Sequence, residues 1–165
     1  KLQGVEKVFL SDSQQVNIFP VRQEIILKKD RDFLFSGKVE AGLFDFFARD
    51  CSFEYGKFKL NLPNIDSMSF YVRSRIKDPE TQKYPLIRVK TLIKGLSGDL
   101  MIDDPNNKSG LKIFRQYPIF TSKNDAHVDW EKKSIQNGVY KKDKFYYTVA
   151  PFTLRSLGRI PTDSL

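Results

Sequence analysis

Few residues in this chain have the type and spacing to do chemistry. There is one cysteine, Cys51, and one histidine, His127. A thiol nucleophile needs a base within hydrogen-bond reach, and nothing in the sequence brings these two together. Cys51 alternates with Phe53 and Tyr55 in "CSFEY" and reads as a core or sheet-face thiol. His127 lies in "DAHVDW" beside Asp125, Asp129 and Trp130. Zinc sites draw on more His and Cys than this chain contains, so His127 reads as a structural or exposed side chain. No G-x-S-x-G, H-E-x-x-H, Walker or G-x-G-x-x-G motif is present. No cofactor, metal site or catalytic residue is assigned on this evidence.

Three carboxylates, Asp45, Asp50 and Glu54, lie in a Phe-rich stretch and are the candidates for a glycoside-cleaving pair, which would meet in space rather than in sequence. In alternating strands such residues point to solvent. Trp130, Tyr146 and Tyr147 are candidates for a sugar-stacking platform, although with 14 Phe and 7 Tyr the aromatics are expected to be mainly core. The run "DDPNNKSG" (103–110) is rich in oxygen donors. A calcium loop needs them at alternate positions. Counting from Asp103 the series meets Pro105, and counting from Asp104 it meets Lys108. The run therefore reads as an exposed turn following a strand.

The most pointed feature is basic. "DSMSFYVRSRIK" (66–77) and "LIRVKTLIK" (86–94) flank a loop, "DPETQKYP" (78–85). Closing that loop symmetrically sets Ile76 opposite Ile87 and Val72 opposite Thr91. The other face then gathers Arg73, Arg75, Lys77, Arg88 and Lys90. Like charges opposite one another destabilise a sheet, so these side chains call for carboxylates from elsewhere, solvent or an anionic partner. Arg73, Arg75, Arg88 and Lys90 are the candidate ligand-binding residues. The partner classes are an acidic glycan, a lipid head group or a neighbouring domain of the same longer chain.

The elements that must position these residues are strands. Period-two alternation also runs through "KVEAGLFDFF" (38–47), "CSFEYGKFKLNL" (51–62), "LSGDLMID" (96–103), "KIFRQYPIF" (112–120) and "KFYYTVAPFTL" (144–154). Gly, Pro, Asn and Asp mark the breaks. Gly56 sits where the apolar parity flips and suggests a β-bulge. Lys94-Gly95 suggests a tight hairpin that pairs Ile93 with Leu96, Val89 with Leu100, Ile87 with Ile102 and Lys90 with Asp99. One short helix is expected around Asp125–Gln136. The fold class is all-β: an antiparallel sandwich or stacked β-sheet module with at most one short helix.

The bulk properties fit a single β-rich module over residues 1–165. Hydrophobic residues make up 40% of the 165, enough for a core. A single cysteine excludes an intrachain disulfide. No run reaches the roughly 18 apolar residues of a membrane helix. The net charge of +8 permits attraction to polyanions, but no RNA-recognition or helix-turn-helix signature accompanies it, so nucleic acid is not an expected partner. The chain opens on Lys1 rather than Met and reads as a fragment of a longer protein.

The runs 35–72 ("FSGKVEAGLFDFFARDCSFEYGKFKLNLPNIDSMSFYV"), 96–122 and 137–157 resemble segments of long β-rich envelope proteins of Gram-negative bacteria, to which no activity is assigned. The resemblance implies a module of a large periplasmic, outer-membrane-associated or cell-surface protein. It carries over no functional residue. The expected function is therefore a non-catalytic structural or binding module. The alternatives are a carbohydrate- or polyanion-binding module and a fragment of a glycan-active hydrolase.

Overall fold

The computed structural model describes residues 1–91, 93–129 and 146–158. Among them are fourteen strands: β1 (Leu2–Gln3), β2 (Val8–Ser11), β3 (Val16–Pro20), β4 (Glu24–Leu27), β5 (Phe33–Ala41), β6 (Phe44–Glu54), β7 (Lys59–Arg73), β8 (Leu86–Thr91), β9 (Ile93–Lys94), β10 (Leu96–Met101), β11 (Ile119–Ser122), β12 (Ala126–Asp129), β13 (Tyr146–Val149) and β14 (Thr153–Leu154). The helical content described is two single turns of 3-10 helix, Val21–Gln23 and Lys29–Arg31. The protein is all-β, and every strand pairing described is antiparallel.

The spine of the fold is β5–β6–β7, three long strands joined by short turns. In β5 the sequence FLFSGKVEA alternates strictly, and Phe33, Phe35, Val39 and Ala41 are buried. Both outer edges of the spine fork. The first half of β5 pairs with β4 and its second half with β3. On the far side, β7 gives residues 59–65 to β10 and residues 68–73 to β8. The main sheet continues through β11 to β14, and a separate small sheet has the order β13-β12-β9.

The sheet curls over one core. β11 lies three strands from β6, a separation of about 14 Å in a flat sheet with neighbours about 4.8 Å apart. Yet the rings of Phe46 (β6) and Phe120 (β11) have centroids 4.8 Å apart, and both side chains are fully buried. Leu60, Leu62, Leu96, Leu100 and Leu157 fill the same interior. Gly98 permits the closure: a β-carbon there would sit 2.6 Å from the Phe120 ring and 2.5 Å from the Thr121 carbonyl oxygen.

Bulges set which residues face this core. Between Phe35 and Gly37 of β5, β6 advances from Cys51 to Ala48, one residue more than its partner. Asp50 absorbs the extra residue with φ 57°. The buried set on β6 accordingly changes from Phe46 and Ala48 to Cys51 and Phe53, which is the parity change that a bulge imposes.

Several sequence expectations are corrected. Gly56 is in the four-residue turn of the β6–β7 hairpin, where Glu54 faces Lys59 and Phe53 faces Leu60. The parity flip marks a change of strand rather than a bulge. Lys94-Gly95 is not a hairpin turn. β8 and β10 run consecutively along the same edge of β7, and between them β9 leaves to pair with β12. Gly95 does take positive φ, 69°, but at a kink in a long interrupted strand. Leu100 and Ile102 are buried, whereas Ile87 is 50% exposed. Ala126–Asp129, expected to start a helix, is a strand; the remainder of that helix lies outside the described residues, as does Trp130. Within 112–120 only Ile119 and Phe120 are in a strand.

The turn at 103–110 is also not simply exposed: Asp103 is fully buried and Asn107 is 4% exposed. Asp103 accepts hydrogen bonds from the Asp104 amide (2.8 Å) and the Asn107 side-chain amide (2.9 Å). Asn107 in turn exchanges bonds with the Lys112 backbone. The oxygens and amides of this run are spent on one another, as buried polar groups require.

Candidate anion-binding surface

The polar face of the spine begins at β5. Opposite registers place Glu40 beside Asp45, Asp45 beside Ser69, and Ser69 beside Lys90. The Lys38 ammonium lies 2.6 Å from Glu40 Oε1 and 3.6 Å from Asp45 Oδ2. Arg88 approaches from the other side, with Nη2 3.7 Å from the same Asp45 oxygen. Its Nε and Nη2 also donate to Ser69 Oγ at 3.1 and 3.0 Å. Asp45 is thus 4% exposed on a nominally outward face, with a cation on each side. Burial works against the charge of Lys38, but Glu40 and Asp45 outweigh it and hold its pKa above the ordinary value.

Beyond this ladder, β7 and β8 run on as an arm. The register is Tyr71 opposite Arg88, Val72 opposite Ile87 and Arg73 opposite Leu86. It differs from the sequence expectation by four residues, because the chain turns back sooner: Ser74 N donates to Pro85 O and Asp78 N to Lys83 O. An even slip preserves parity. Arg73 and Arg88 therefore do lie on one face. Lys90 belongs to that face by register, its side chain being outside the described residues. Arg75 follows the end of β7 and is exposed, as is Arg73. Arg88 has its carboxylate in Asp45. Among the described residues no carboxylate pairs with Arg73 or Arg75.

The arm is a basic segment. Residues 73–90 hold six cations (Arg73, Arg75, Lys77, Lys83, Arg88, Lys90) and two carboxylates (Asp78, Glu80). That excess of four is half of the net charge of +8. Asp78 is occupied in capping the tip, accepting from the Glu80 amide (2.8 Å) and the Thr81 amide (3.0 Å). Those two backbone bonds hold its pKa below the ordinary value. Lys77 lies 5.6 Å from the Tyr84 ring centroid.

The other chemical candidates are committed elsewhere. Cys51 is fully buried, and burial together with Asp50 and Asp66 pushes its pKa up to about 12, so it is not a thiolate nucleophile. Asp50 accepts from the Asn64 amide at 3.2 Å. Glu54 meets Lys57 at 2.7 Å and Lys59 at 3.5 Å, and its pKa is lowered, chiefly by the Lys57 bond. Asp99, expected opposite Lys90, instead lies between Lys59 (3.3 Å) and Lys123 (2.8 Å). His127 is exposed on β12, and Tyr147 is 65% exposed. The Tyr146 side chain is outside the described residues. No cluster of three or more metal-donor side chains occurs among the described residues. A cleft of about 530 Å³ opens between Arg49, Asn64, Asp66, Lys94, Ser97 and Asn124. Within it Arg49 grips Asp66 at 2.8 and 2.9 Å, and Ser97 donates twice to Asn124.

Sequence reasoning found the basic face through strand parity. It missed Asp45 as the partner of Arg88, because Asp45 was expected to point into solvent. Comparison with known proteins finds no matching family model, no matching curated protein and no matching solved structure.

Proposed function

We propose that this chain is a non-catalytic module of a larger bacterial envelope protein, and that it binds an anionic partner through the β7–β8 arm. The envelope setting rests on the resemblance of its runs to segments of such proteins. The binding reading rests on one observation: Arg73 and Arg75 stand exposed on an arm with four surplus positive charges, while Arg88 at its base is matched by Asp45. Cations that internal carboxylates already match give little to a partner. Exposed and unmatched ones attract polyanions over a Debye length of about 10 Å at 0.1 M salt. The carboxylates named for hydrolysis are tied to cations or an amide, which favours binding over glycoside cleavage.

Thermal unfolding with heparin at low ionic strength tests this. A ligand that binds only the native state raises its melting temperature. Heparin is expected to raise it by several degrees, and Arg73→Glu with Arg75→Glu to abolish the rise while leaving the ligand-free melting temperature nearly unchanged. A melting temperature indifferent to heparin would reject the binding reading.

A further inference from the structure

The arm carries a second feature that a soluble polyanion has no use for. Ile76 is 79% exposed, Ile87 50%, Leu86 48% and Tyr84 42%, and all four lie within the same basic segment. Leu86 faces Arg73 across the ribbon, and Ile87 faces Val72. Val72 and Ile87 continue the apolar face of Phe70 and Val89 beyond the point where the core ends. Cations and apolar side chains thus alternate along one projecting hairpin.

We infer that the anionic partner is the surface of an anionic lipid bilayer, with the arm lying in the headgroup layer. This rests on the anion-binding reading and adds the partner's class. A bilayer interface takes both components at once: aliphatic side chains enter the acyl boundary, tyrosine sits at headgroup level, and Arg and Lys meet lipid phosphates. Part of the tip's backbone is hydrogen-bonded within the loop. Ser74 N, Asp78 N and Gln82 N donate to carbonyls across the loop, and the Asp78 carboxylate takes the Glu80 and Thr81 amides. That economy matters where water is scarce.

The experiment is sedimentation of the whole chain with vesicles of phosphatidylcholine alone and of phosphatidylcholine mixed with phosphatidylglycerol, with heparin binding measured in parallel. The wild type is expected to bind the mixed vesicles and not the neutral ones. Arg73→Glu with Arg75→Glu should weaken vesicle binding by more than about tenfold, given about fivefold per cation at such a surface. Ile76→Ser with Leu86→Ser should weaken vesicle binding and leave heparin binding intact. A melting temperature equal to the wild type establishes that these variants are folded. Heparin binding without vesicle binding would overturn the bilayer inference and leave the anion-binding reading standing. Vesicle binding indifferent to Ile76→Ser with Leu86→Ser would also overturn it. Loss of both activities in the wild type would remove the reading beneath it.

Discussion

Asp45 shows how far residue type alone determines a role. An aspartate on the outward parity of a strand is ordinarily solvated, but here cations from β5 and from β8, one strand further on, close over it. Removing its charge leaves Lys38 and Arg88 facing each other in a half-buried setting. Asp45→Asn is therefore expected to cost about 1–3 kcal/mol in chemical denaturation. A loss below about 0.5 kcal/mol would show that solvent already screens the ladder. Cys51 gives the opposite case, since its core position was legible from its alternation with Phe53. With its pKa pushed up to about 12 and no exposure, it should resist a thiol reagent at pH 8 in the native protein and react once guanidinium unfolds it. Rapid native labelling would place Cys51 in a more open site.

At the scale of elements, the alternating pattern revealed faces but not partners. Both the expected and the observed β7–β8 registers put Arg73 and Arg88 on one side, because they differ by an even number of residues. The expected hairpin at Lys94-Gly95 satisfied the apolar pairing of Val89 with Leu100 equally well. It fails because β7 is 15 residues long, enough for β8 and β10 to lie end to end along it. Hydrophobic alternation constrains parity strongly and the choice of neighbour weakly. The β10–β11 closure was not legible either, since it depends on what Gly98 lacks. Gly98→Val is expected to cost about 3 kcal/mol or more, as the new side chain must displace Phe120 or the Thr121 backbone; a near-neutral variant would contradict the packing described for β10 and β11.

The ion-pair run Lys57–Glu54–Lys59–Asp99–Lys123 joins β6, β7 and β10. Glu54 has its pKa lowered from 4.5, so it binds its proton less readily folded than unfolded. Its contribution is present above about pH 4.5 and fades as pH falls through the folded-state value. Glu54→Gln should therefore flatten the acid limb of the stability profile below pH 4.5, by a small amount because Glu54 is only partly buried and solvent screens its pairs. An unchanged acid limb would show that the pairs are screened out.

On the scale of the whole molecule, the all-β class was legible because turn residues and period two recur along nearly the whole chain. The curling of one sheet over a single core was not, because it arises from bulges and forks that depend on which strands meet. The uneven placement of charge was legible in part. The sequence placed the cations together, and the fold then divided them into Arg88, answered by Asp45, and Arg73 and Arg75 on the projecting arm. Heparin affinity measured over a salt series tests that division directly. The wild type should lose affinity steeply as salt rises, and Arg73→Ala with Arg75→Ala should lower the affinity at low salt and flatten the dependence. If the double variant keeps the wild-type affinity and salt dependence, the arm is not the anion-binding surface and the functional account is wrong.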